Sequence, residues 1–255
     1  MESAKKAYAF WQKRAEEIVA ESEVTHRDVW QRWLEIETIK KFLQKTMRVI
    51  DIGCGNGYTT KQLAPLIREI VGIDYSQEMV RRAKEGLENS NIFFYQSNVL
   101  TLDSAQYGLF DAALSERCLI NLDSWESQKR AIQNIIRVLK PNGIFIFNEG
   151  LADGRKNLNK LRKKTGLPQM PKVWHNIDFR ERELIQYLKR YFFIEQRLYF
   201  GVYDFVSRVI HPLVVYPKEP RYDSKINQIA AYAATYRQDC RDISRSIFLV
   251  LKKRQ

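Results

Sequence analysis

Cysteine is scarce in this chain of 255 residues. The three cysteines, Cys54, Cys118 and Cys240, are odd in number and lie far apart. Such spacing is typical neither of a disulfide framework nor of a CxxC-type metal site. We therefore expect no metal centre, and a reducing compartment suits the chain.

Long apolar runs are also missing. No run approaches the roughly 18 residues that a membrane-spanning helix needs, and the N-terminal Met1-Glu-Ser-Ala-Lys-Lys is charged, unlike a secretory leader. Internal repeats and low-complexity segments are absent too. These absences predict a soluble, cytoplasmic protein with one large domain.

An excess of positive charge is present, and it lies in one part of the chain. The net charge is +12; residues 1–150 hold 20 Lys and Arg against 20 Asp and Glu, whereas residues 151–255 hold 22 against 10. Such asymmetry usually indicates an anionic partner, which could be a phosphate-bearing metabolite, a nucleic acid or an acidic membrane. The alternative is a solubilising basic face that has no specific partner.

Hydrophobic periodicity predicts an α/β architecture. Residues 5–44 read as helical, with Thr25 and Asp28 marking an N-cap. Strands that alternate with helices then indicate βαβ units and a parallel, doubly wound sheet. The predicted strands are 48–52, 69–73, 91–95, 109–114, 143–148, 191–199 and 245–251; the predicted helices are 57–67, 76–88, 125–139, 154–166, 181–190 and two pieces within 201–242.

A glycine-rich turn follows the first predicted strand. Val49-Ile-Asp-Ile-Gly-Cys-Gly-Asn-Gly57 has glycines at 53, 55 and 57, and Asp74 ends the next strand. Glycine lets backbone approach a ligand, and an acidic residue at that place can accept both hydroxyls of a ribose. The third glycine comes one residue too early for the dinucleotide pattern G-x-G-x-x-G, and no Walker Gly-Lys-Ser/Thr follows. The stretch predicts a nucleoside pocket.

Four stretches in this order resemble class I S-adenosylmethionine-dependent methyltransferases. The first is the glycine turn taken together with Gly72-Ile-Asp-Tyr-Ser76; the other three are Asn98-Val-Leu100, Phe110-Asp-Ala-Ala-Leu-Ser115 and Arg137-Val-Leu-Lys-Pro-Asn-Gly-Ile-Phe-Ile146. The match covers residues 48–150 well and the last two strands loosely. It departs from the family at Asn98, where Asp is common, and at Asn142, where Gly is usual.

The resemblance implies a Rossmann-like methyltransferase sheet, mostly parallel with an antiparallel final strand, together with N-terminal helices and C-terminal helical insertions. S-adenosyl-L-methionine would be the co-substrate and S-adenosylhomocysteine the product. Within a single domain, residues 1–45 would form a helical cap, 46–150 the S-adenosylmethionine-binding core, 151–180 and 200–242 acceptor-side insertions, and 181–199 and 243–255 the last helix and strands.

Cofactor contacts are carried over from the family by position. The resemblance implies that Gly53, Cys54, Gly55 and Gly57 lie along the methionine and ribose portion, Asp51 near the methionine ammonium, Asp74 on the ribose hydroxyls, Tyr75, Met79, Asn98 and Val99 around the adenine, and Ser115, Glu116 and Arg117 towards the sulfonium. Two of these residues have a structural alternative: Met79 as helix core and Asp51 as a cap of the loop backbone.

A general base is needed only if the acceptor atom carries a proton that must leave. The candidates are His175, Glu149, His211 and His26. Glu149 ends the fifth strand, where ligands of open α/β sheets bind, and His175 has the more suitable intrinsic pKa. We therefore take His175 as the base and Glu149 as the second catalytic candidate. Hydrogen-bonded structural roles are the alternatives, for Glu149 the orientation of Arg117 or of a loop amide.

The two insertions are rich in cations and aromatic residues, which suits an anionic or phosphate-bearing sugar or a related small metabolite. From them we expect Trp174, Tyr203, Arg221 and Tyr222 to contact the acceptor. Glu116–Leu122, Trp174-His-Asn and Pro217–Asp223 also resemble, less specifically, bacterial methyltransferases of surface polysaccharide synthesis. O-methylation is the favoured reaction.

Two other functions compete with this prediction. An RNA or protein methyltransferase could use the basic C-terminal part; against it, the fourth strand is followed by Ser115-Glu-Arg-Cys118, not an Asn-Pro-Pro-Tyr-like tetrad. A non-catalytic scaffold is the second rival, and the retained glycines and Asp74 argue against it. Peripheral membrane contact and the oligomeric state stay open.

Overall fold

A computed structural model describes residues 2–237 and 239–254. It contains a seven-stranded sheet with strand order β3-β2-β1-β4-β5-β7-β6, in which β1 to β5 are parallel and β7 runs antiparallel to both β5 and β6. The predicted doubly wound fold with its antiparallel final strand is confirmed. The strands are β1 Arg48–Ile52, β2 Glu69–Asp74, β3 Ile92–Gln96, β4 Phe110–Glu116, β5 Leu139–Gly150, β6 Phe192–Tyr199 and β7 Ser246–Lys253.

Helices cover both faces of the sheet. A π-helical turn, Val206–Ile210, joins two of them, so that residues 201–215 form one continuous helical segment. The α-helices are α1 Glu2–Glu17, α2 Val29–Lys40, α3 Tyr58–Leu63, α4 Gln77–Lys84, α5 Ser104–Tyr107, α6 Trp125–Val138, α7 Ala152–Lys164, α8 Glu181–Leu188, α9 Gly201–Phe205, α10 His211–Val215 and α11 Lys225–Tyr236. None of the helices in the described part of the chain is long and apolar enough to cross a membrane.

The N-terminal helical region is divided just before the N-cap that the sequence predicts. Within residues 5–44, α1 and α2 are separated by the segment 18–28. Asp28 is the N-cap of α2, because its side chain accepts the Gln31 N–H at 3.1 Å. Thr25, three residues earlier, lies in the connecting segment and faces the glycine turn. This segment therefore reaches the carboxyl edge of the sheet.

Alternate side chains of the central strands belong to two hydrophobic clusters, one on each face of the sheet. Ile50 and Val71 face the cluster that includes α6 and α8, while Val49 and Ile70 face the cluster that includes α2 and α11. Burial of both faces is expected of a parallel sheet. The helices of the segment 201–236 pack against α2 within the second layer, so they lie beside the sheet.

Candidate active site

A cleft of about 430 Å³ opens at the carboxyl ends of β1, β2 and β4. This is where open α/β sheets bind their ligands, and the volume lies in the range of small-molecule sites. The floor is formed by three segments, Asp51–Gly55, Asp74–Tyr75 and Glu116–Cys118. The walls come from α1, from the segment that precedes α2, and from the loop that contains Val173 and His175.

All three glycines of the turn have left-handed backbone, with φ of 73° at Gly53, 55° at Gly55 and 75° at Gly57. A Cβ at Gly55 would lie 2.5 Å from Thr25 Cγ2, and one at Gly57 would lie 2.6 Å from Phe94 Cζ. Other parts of the protein therefore occupy the space next to these glycines. Gly53 and Gly55 line the cleft, whereas Gly57 lies outside its lining.

Asp74 lies at the end of β2 and faces the cleft. Its Oδ2 accepts the Gly55 N–H at 2.9 Å, and its Oδ1 accepts the Ser76 N–H at 2.9 Å. Burial raises the pKa of Asp74 to about 6, although both N–H donors act in the opposite direction. Because a carboxylate oxygen has two lone pairs, each oxygen keeps one for a ribose hydroxyl. The geometry therefore fits the ribose contact inferred from the sequence.

Asp51 lies deeper in the cleft, near the end of β1. Its Oδ2 accepts the Thr60 hydroxyl at 2.5 Å. Burial raises the pKa of Asp51 to about 7, and the neighbouring Glu116 and Asp74 act in the same direction. Three acidic side chains near one another create a negative field at this end of the cleft, which suits a cationic group of a ligand.

The adenine side predicted from the sequence also faces the cleft. Tyr75, Met79, Asn98 and Val99 all line it. Met79 is at the same time packed with Ala15 and the rest of a small cluster under α1, so the structural alternative for this residue holds alongside its place in the lining. Asn98 Oδ1 accepts the Leu100 N–H at 2.9 Å, which leaves the amide nitrogen of Asn98 to face a ligand.

Glu149 and Ser115 lie below the cleft and do not line it. Both are fully buried, and the Ser115 hydroxyl donates to Glu149 Oε1 at 2.5 Å. The same carboxylate accepts the backbone N–H groups of Cys118, Leu119 and Ile120 at 3.1, 2.9 and 3.2 Å. Its burial raises the pKa of Glu149 to about 7. The structure thus corrects the expectation that Glu149 faces the substrate, because its oxygens hold the loop after β4.

That loop presents Arg117 and Glu116 to the cleft. Arg117 has left-handed backbone, with φ of 51°, and its guanidinium binds Glu35 of α2 and, at 2.8 Å, Glu116. Burial raises the pKa of Glu35 to about 7, although Arg117 lowers it. Thr59 donates to Glu116 Oε2 at 3.2 Å. Both predicted residues thus line the cleft, and Glu35, which the sequence analysis did not identify, pairs with Arg117.

Much of the cleft wall that faces the loop after β4 comes from residues that the sequence analysis did not assign. These residues belong to α1, to the segment before α2 and to the first turn of α2, and their signal was the mixture of aromatic and basic residues in those stretches. They are Phe10, Trp11, Arg14, Thr25, His26, Arg27 and Arg32. Arg14 donates to the Val24 carbonyl at 2.7 Å and the Glu23 carbonyl at 2.8 Å. Arg27 forms no ion pair or hydrogen bond with the described residues.

Two of the candidate histidines line the cleft, and one does not. His175 packs against Phe10, Trp11 and Trp174, and burial and the nearby Arg14 lower its pKa. His26 also faces the cleft; burial and several arginines, Arg117 first, hold its pKa well below the usual value. His211 is buried elsewhere, with its Nδ1 2.9 Å from Asn227 Oδ1. Both histidines in the cleft are therefore neutral at physiological pH.

The expected acceptor contacts from the second insertion are corrected by the structure. Tyr203 is fully buried, with its hydroxyl bound to Asp28. Arg221 is exposed and pairs with Asp223, while Tyr222 stacks on Arg208. Among the described residues of 200–242 none lines the cleft, because this segment packs on α2. Trp174 lies beside the lining residues Val173 and His175, with its ring 5.9 Å from Phe10.

Comparison with known proteins identifies this arrangement. Residues 43–192, more than half of the chain, match the model of a methyltransferase domain family. The protein YqeM of Bacillus subtilis is 31% identical over 125 residues, which cover 48% of this chain and 47% of YqeM. A ubiquinone biosynthesis O-methyltransferase of Xanthomonas oryzae is 34% identical over 98 residues, 38% of this chain and 40% of that protein. The chain spans about half the length of the curated relatives it matches.

Solved structures show the same fold. The N-methyltransferase NodS from Bradyrhizobium japonicum, determined with S-adenosyl-L-homocysteine, superposes with a TM-score of 0.59 over 97% of this chain and 98% of NodS, at 14% identity. With the family model, this likeness accounts for the sheet order and for the position of the cleft. The chain belongs to the methyltransferase domain family, in the class I fold that uses S-adenosylmethionine.

Proposed function

We propose that this protein transfers a methyl group from S-adenosylmethionine to an oxygen atom of an anionic small molecule, such as a carboxylated or phosphorylated sugar or a related metabolite. The observation that carries the proposal is one cleft lined by two unlike sets of residues, which we assign to a donor end and an acceptor end. The donor set is the glycine turn with Asp51 and Asp74, and the acceptor set is Arg14 and Arg27 with two histidines whose pKa is lowered.

The acidic end fits the donor. Asp74 keeps lone pairs for the ribose hydroxyls, and Asp51 provides negative charge for the methionine ammonium. The apolar side chains of Met79 and Val99 are placed for the adenine ring. S-adenosylmethionine, when bound, supplies a methyl group that its sulfonium has already activated. The protein then has to hold the acceptor in line and exclude water, and proximity alone can provide ~7–11 kcal/mol of the barrier reduction.

The other end favours negative charge on the acceptor. Arg117 is neutralised by Glu35 and Glu116, but Arg27 has no acidic partner among the residues that the structure describes, and Arg14 binds only carbonyl groups. Burial is the main cause that lowers the pKa of both histidines, and Arg14 adds to it at His175. The unpaired charge of Arg27 and the charge of Arg14 are therefore what favours a carboxylate or phosphate in the cleft.

His175 remains our proposed base for an acceptor that is a hydroxyl group. It is neutral, it faces the cleft, and Phe10, Trp11 and Trp174 restrict its ring. A neutral imidazole can accept the hydroxyl proton during transfer. If the acceptor oxygen is a carboxylate, no proton has to leave and the base is unnecessary. The effect of His175→Ala on turnover therefore distinguishes the two kinds of acceptor.

Binding and transfer are measured separately. Calorimetry should show S-adenosylmethionine binding that Asp74→Ala abolishes; no binding to the wild-type protein would refute the enzymatic proposal. Radiolabelled methyl transfer into fractionated cell extract should then label anionic small molecules. Arg27→Gln should raise KM for such an acceptor roughly 10- to 100-fold, because it removes about one charge-assisted hydrogen bond to the acceptor. Donor affinity should stay unchanged. Arg130→Gln, an exposed site on α6, is the matched control.

A further inference from the structure

Helix α7 presents a row of lysines to solvent. Gly154, Leu158 and Arg162, spaced four residues apart, are its buried positions. Lys156, Lys160 and Lys163 lie on the opposite side of the helix, and all three are exposed. None of these three lysines forms an ion pair with any residue of the described chain. We call Lys156, Lys160 and Lys163 the lysine row.

The loop that follows α7 turns back along the helix beside this row. The Asn159 amide donates to the Met170 carbonyl at 3.2 Å, and the Met170 N–H donates to Asn159 Oδ1 at 2.9 Å. Arg162 holds the Pro168 carbonyl at 2.9 Å. Because Asn159 lies between the buried side of α7 and the lysine row, these bonds fix the loop at the edge of the row.

The tip of the same loop is apolar and lies at the mouth of the cleft. Val173, Trp174 and Ile177 are 42%, 55% and 37% exposed. Between them, His175 and Asn176 line the cleft together with Val173. An exposed tryptophan flanked by aliphatic side chains is uncommon on a surface that meets only water, and it marks an interaction site. The lysine row and this apolar tip therefore form one surface next to the cleft entrance.

From these observations we propose that the lysine row and the tip Val173–Ile177 dock the protein on an anionic phospholipid membrane. Lysines attract acidic headgroups, while a tryptophan with neighbouring aliphatic side chains inserts at the boundary between headgroups and acyl chains. The aliphatic residues favour lipid over nucleic acid, which would be bound by cations and stacked aromatic rings alone. Docking in this way turns the cleft mouth towards the bilayer.

The orientation of the cleft mouth towards the bilayer narrows the class of acceptor. A cleft that opens onto the membrane can receive an acceptor that is itself anchored there through an acyl or isoprenoid chain, with its anionic head in the aqueous layer. This consequence rests on the proposed methyl transfer, whereas the docking itself does not. Vesicle binding needs neither donor nor acceptor, so failure of one proposal is distinguishable from failure of the other.

Co-sedimentation with vesicles tests the docking. The full chain should bind vesicles of phosphatidylcholine with phosphatidylglycerol, bind pure phosphatidylcholine weakly, and lose affinity as salt rises. The triple variant Lys156→Gln, Lys160→Gln, Lys163→Gln should bind the anionic vesicles roughly 100-fold more weakly. Trp174→Ala should also weaken binding while the salt dependence stays. Calorimetry with S-adenosylmethionine verifies that each variant is folded.

The matched control replaces Lys41, Lys45 and Lys84 with Gln. Lys41 and Lys45 follow the end of α2, Lys84 is the last residue of α4, all three are exposed, and the change in net charge is the same. The control should bind anionic vesicles as the wild type does. Equal loss in both triple variants would overturn the proposal, because net charge alone would then explain binding. Tighter binding of a single-stranded RNA than of anionic vesicles would overturn it in favour of nucleic acid.

Discussion

Alanine at Gly55 should destabilise the protein by two separable mechanisms. The backbone has φ of 55°, in the left-handed region, where a side chain costs ~1–2 kcal/mol. The new Cβ would also lie 2.5 Å from Thr25 Cγ2. Thr25 cannot rotate away freely, because its hydroxyl accepts a hydrogen bond from Arg32. Overpacking of this kind adds ~1–3 kcal/mol, so we expect Gly55→Ala to cost about 2–5 kcal/mol.

The steric contribution to the loss of stability can be removed without the backbone contribution. Serine at Thr25 deletes Cγ2 and keeps the hydroxyl that binds Arg32. The double variant Gly55→Ala, Thr25→Ser should therefore recover the steric part, about 1–3 kcal/mol, and retain the backbone part. Urea denaturation of the wild type, both single variants and the double variant gives the coupling free energy. A coupling below about 0.5 kcal/mol would refute the contact between the glycine turn and the segment before α2.

The same variants should change ligand binding. The Gly55 N–H donates to Asp74 Oδ2 at 2.9 Å, so displacement of the turn disturbs the carboxylate that we assign to the ribose. Gly55→Ala should weaken S-adenosylmethionine binding, and the double variant should restore part of the affinity. Leu184→Ala in α8 is the control: it removes a fully buried side chain and costs about 2–5 kcal/mol, but it lies away from the cleft. Its donor affinity should match that of the wild type.

Three further predictions concern buried polar groups. Burial raises the pKa of Asp51 to about 7 and that of Asp74 to about 6, so donor binding must displace protons below these values. Calorimetric affinity should rise from pH 5.5 to 7, by up to about tenfold per pH unit for each group, and Asp51→Asn should remove the part of the rise between about pH 6 and 7. Glu149→Ala leaves the N–H groups of the loop after β4 without their acceptor, so it should cost about 2 kcal/mol or more in urea denaturation and lower methyl transfer. Tyr203→Phe removes a buried bond to Asp28 and should lower the melting temperature, with KM for the acceptor unchanged.

The donor end of the cleft was predictable from sequence because its signal is local. The glycine turn and Asp74 are adjacent to strands whose order the alternation of elements fixes, and parallel strands bring their carboxyl ends to one edge. Every predicted cofactor residue except Gly57 and Ser115 lines the cleft. Phe94 occupies the space next to Gly57, and the Ser115 hydroxyl bonds Glu149 beneath the cleft.

The acceptor end was not predictable in the same way. Its cations come from α1 and the segment before α2, far in sequence from the glycine turn. No local sequence pattern predicts which helix covers the carboxyl edge of the sheet. That depends on tertiary packing, such as the contact of Met79 with the cluster under α1. The insertion 200–242 carries similar residue types, but Ala230, Ala231 and Ala234 allow α11 to pack closely on the second layer, which takes the segment away from the cleft.

Net charge by segment is a poor guide to where a positive field acts. The cations of the cleft, Arg14, Arg27, Arg32 and Arg117, all belong to residues 1–150, in which acidic and basic residues are equal in number. Pairing, rather than the count, decides their effect: Glu35 and Glu116 neutralise Arg117, whereas Arg27 stays free of acidic partners within the described chain. The excess after residue 150 includes the lysine row, which faces solvent outside the cleft. The two basic surfaces should therefore be separable by mutation. Arg27→Gln should raise KM for the acceptor and leave vesicle binding intact. The triple variant of the lysine row should weaken vesicle binding and leave KM for a water-soluble acceptor unchanged.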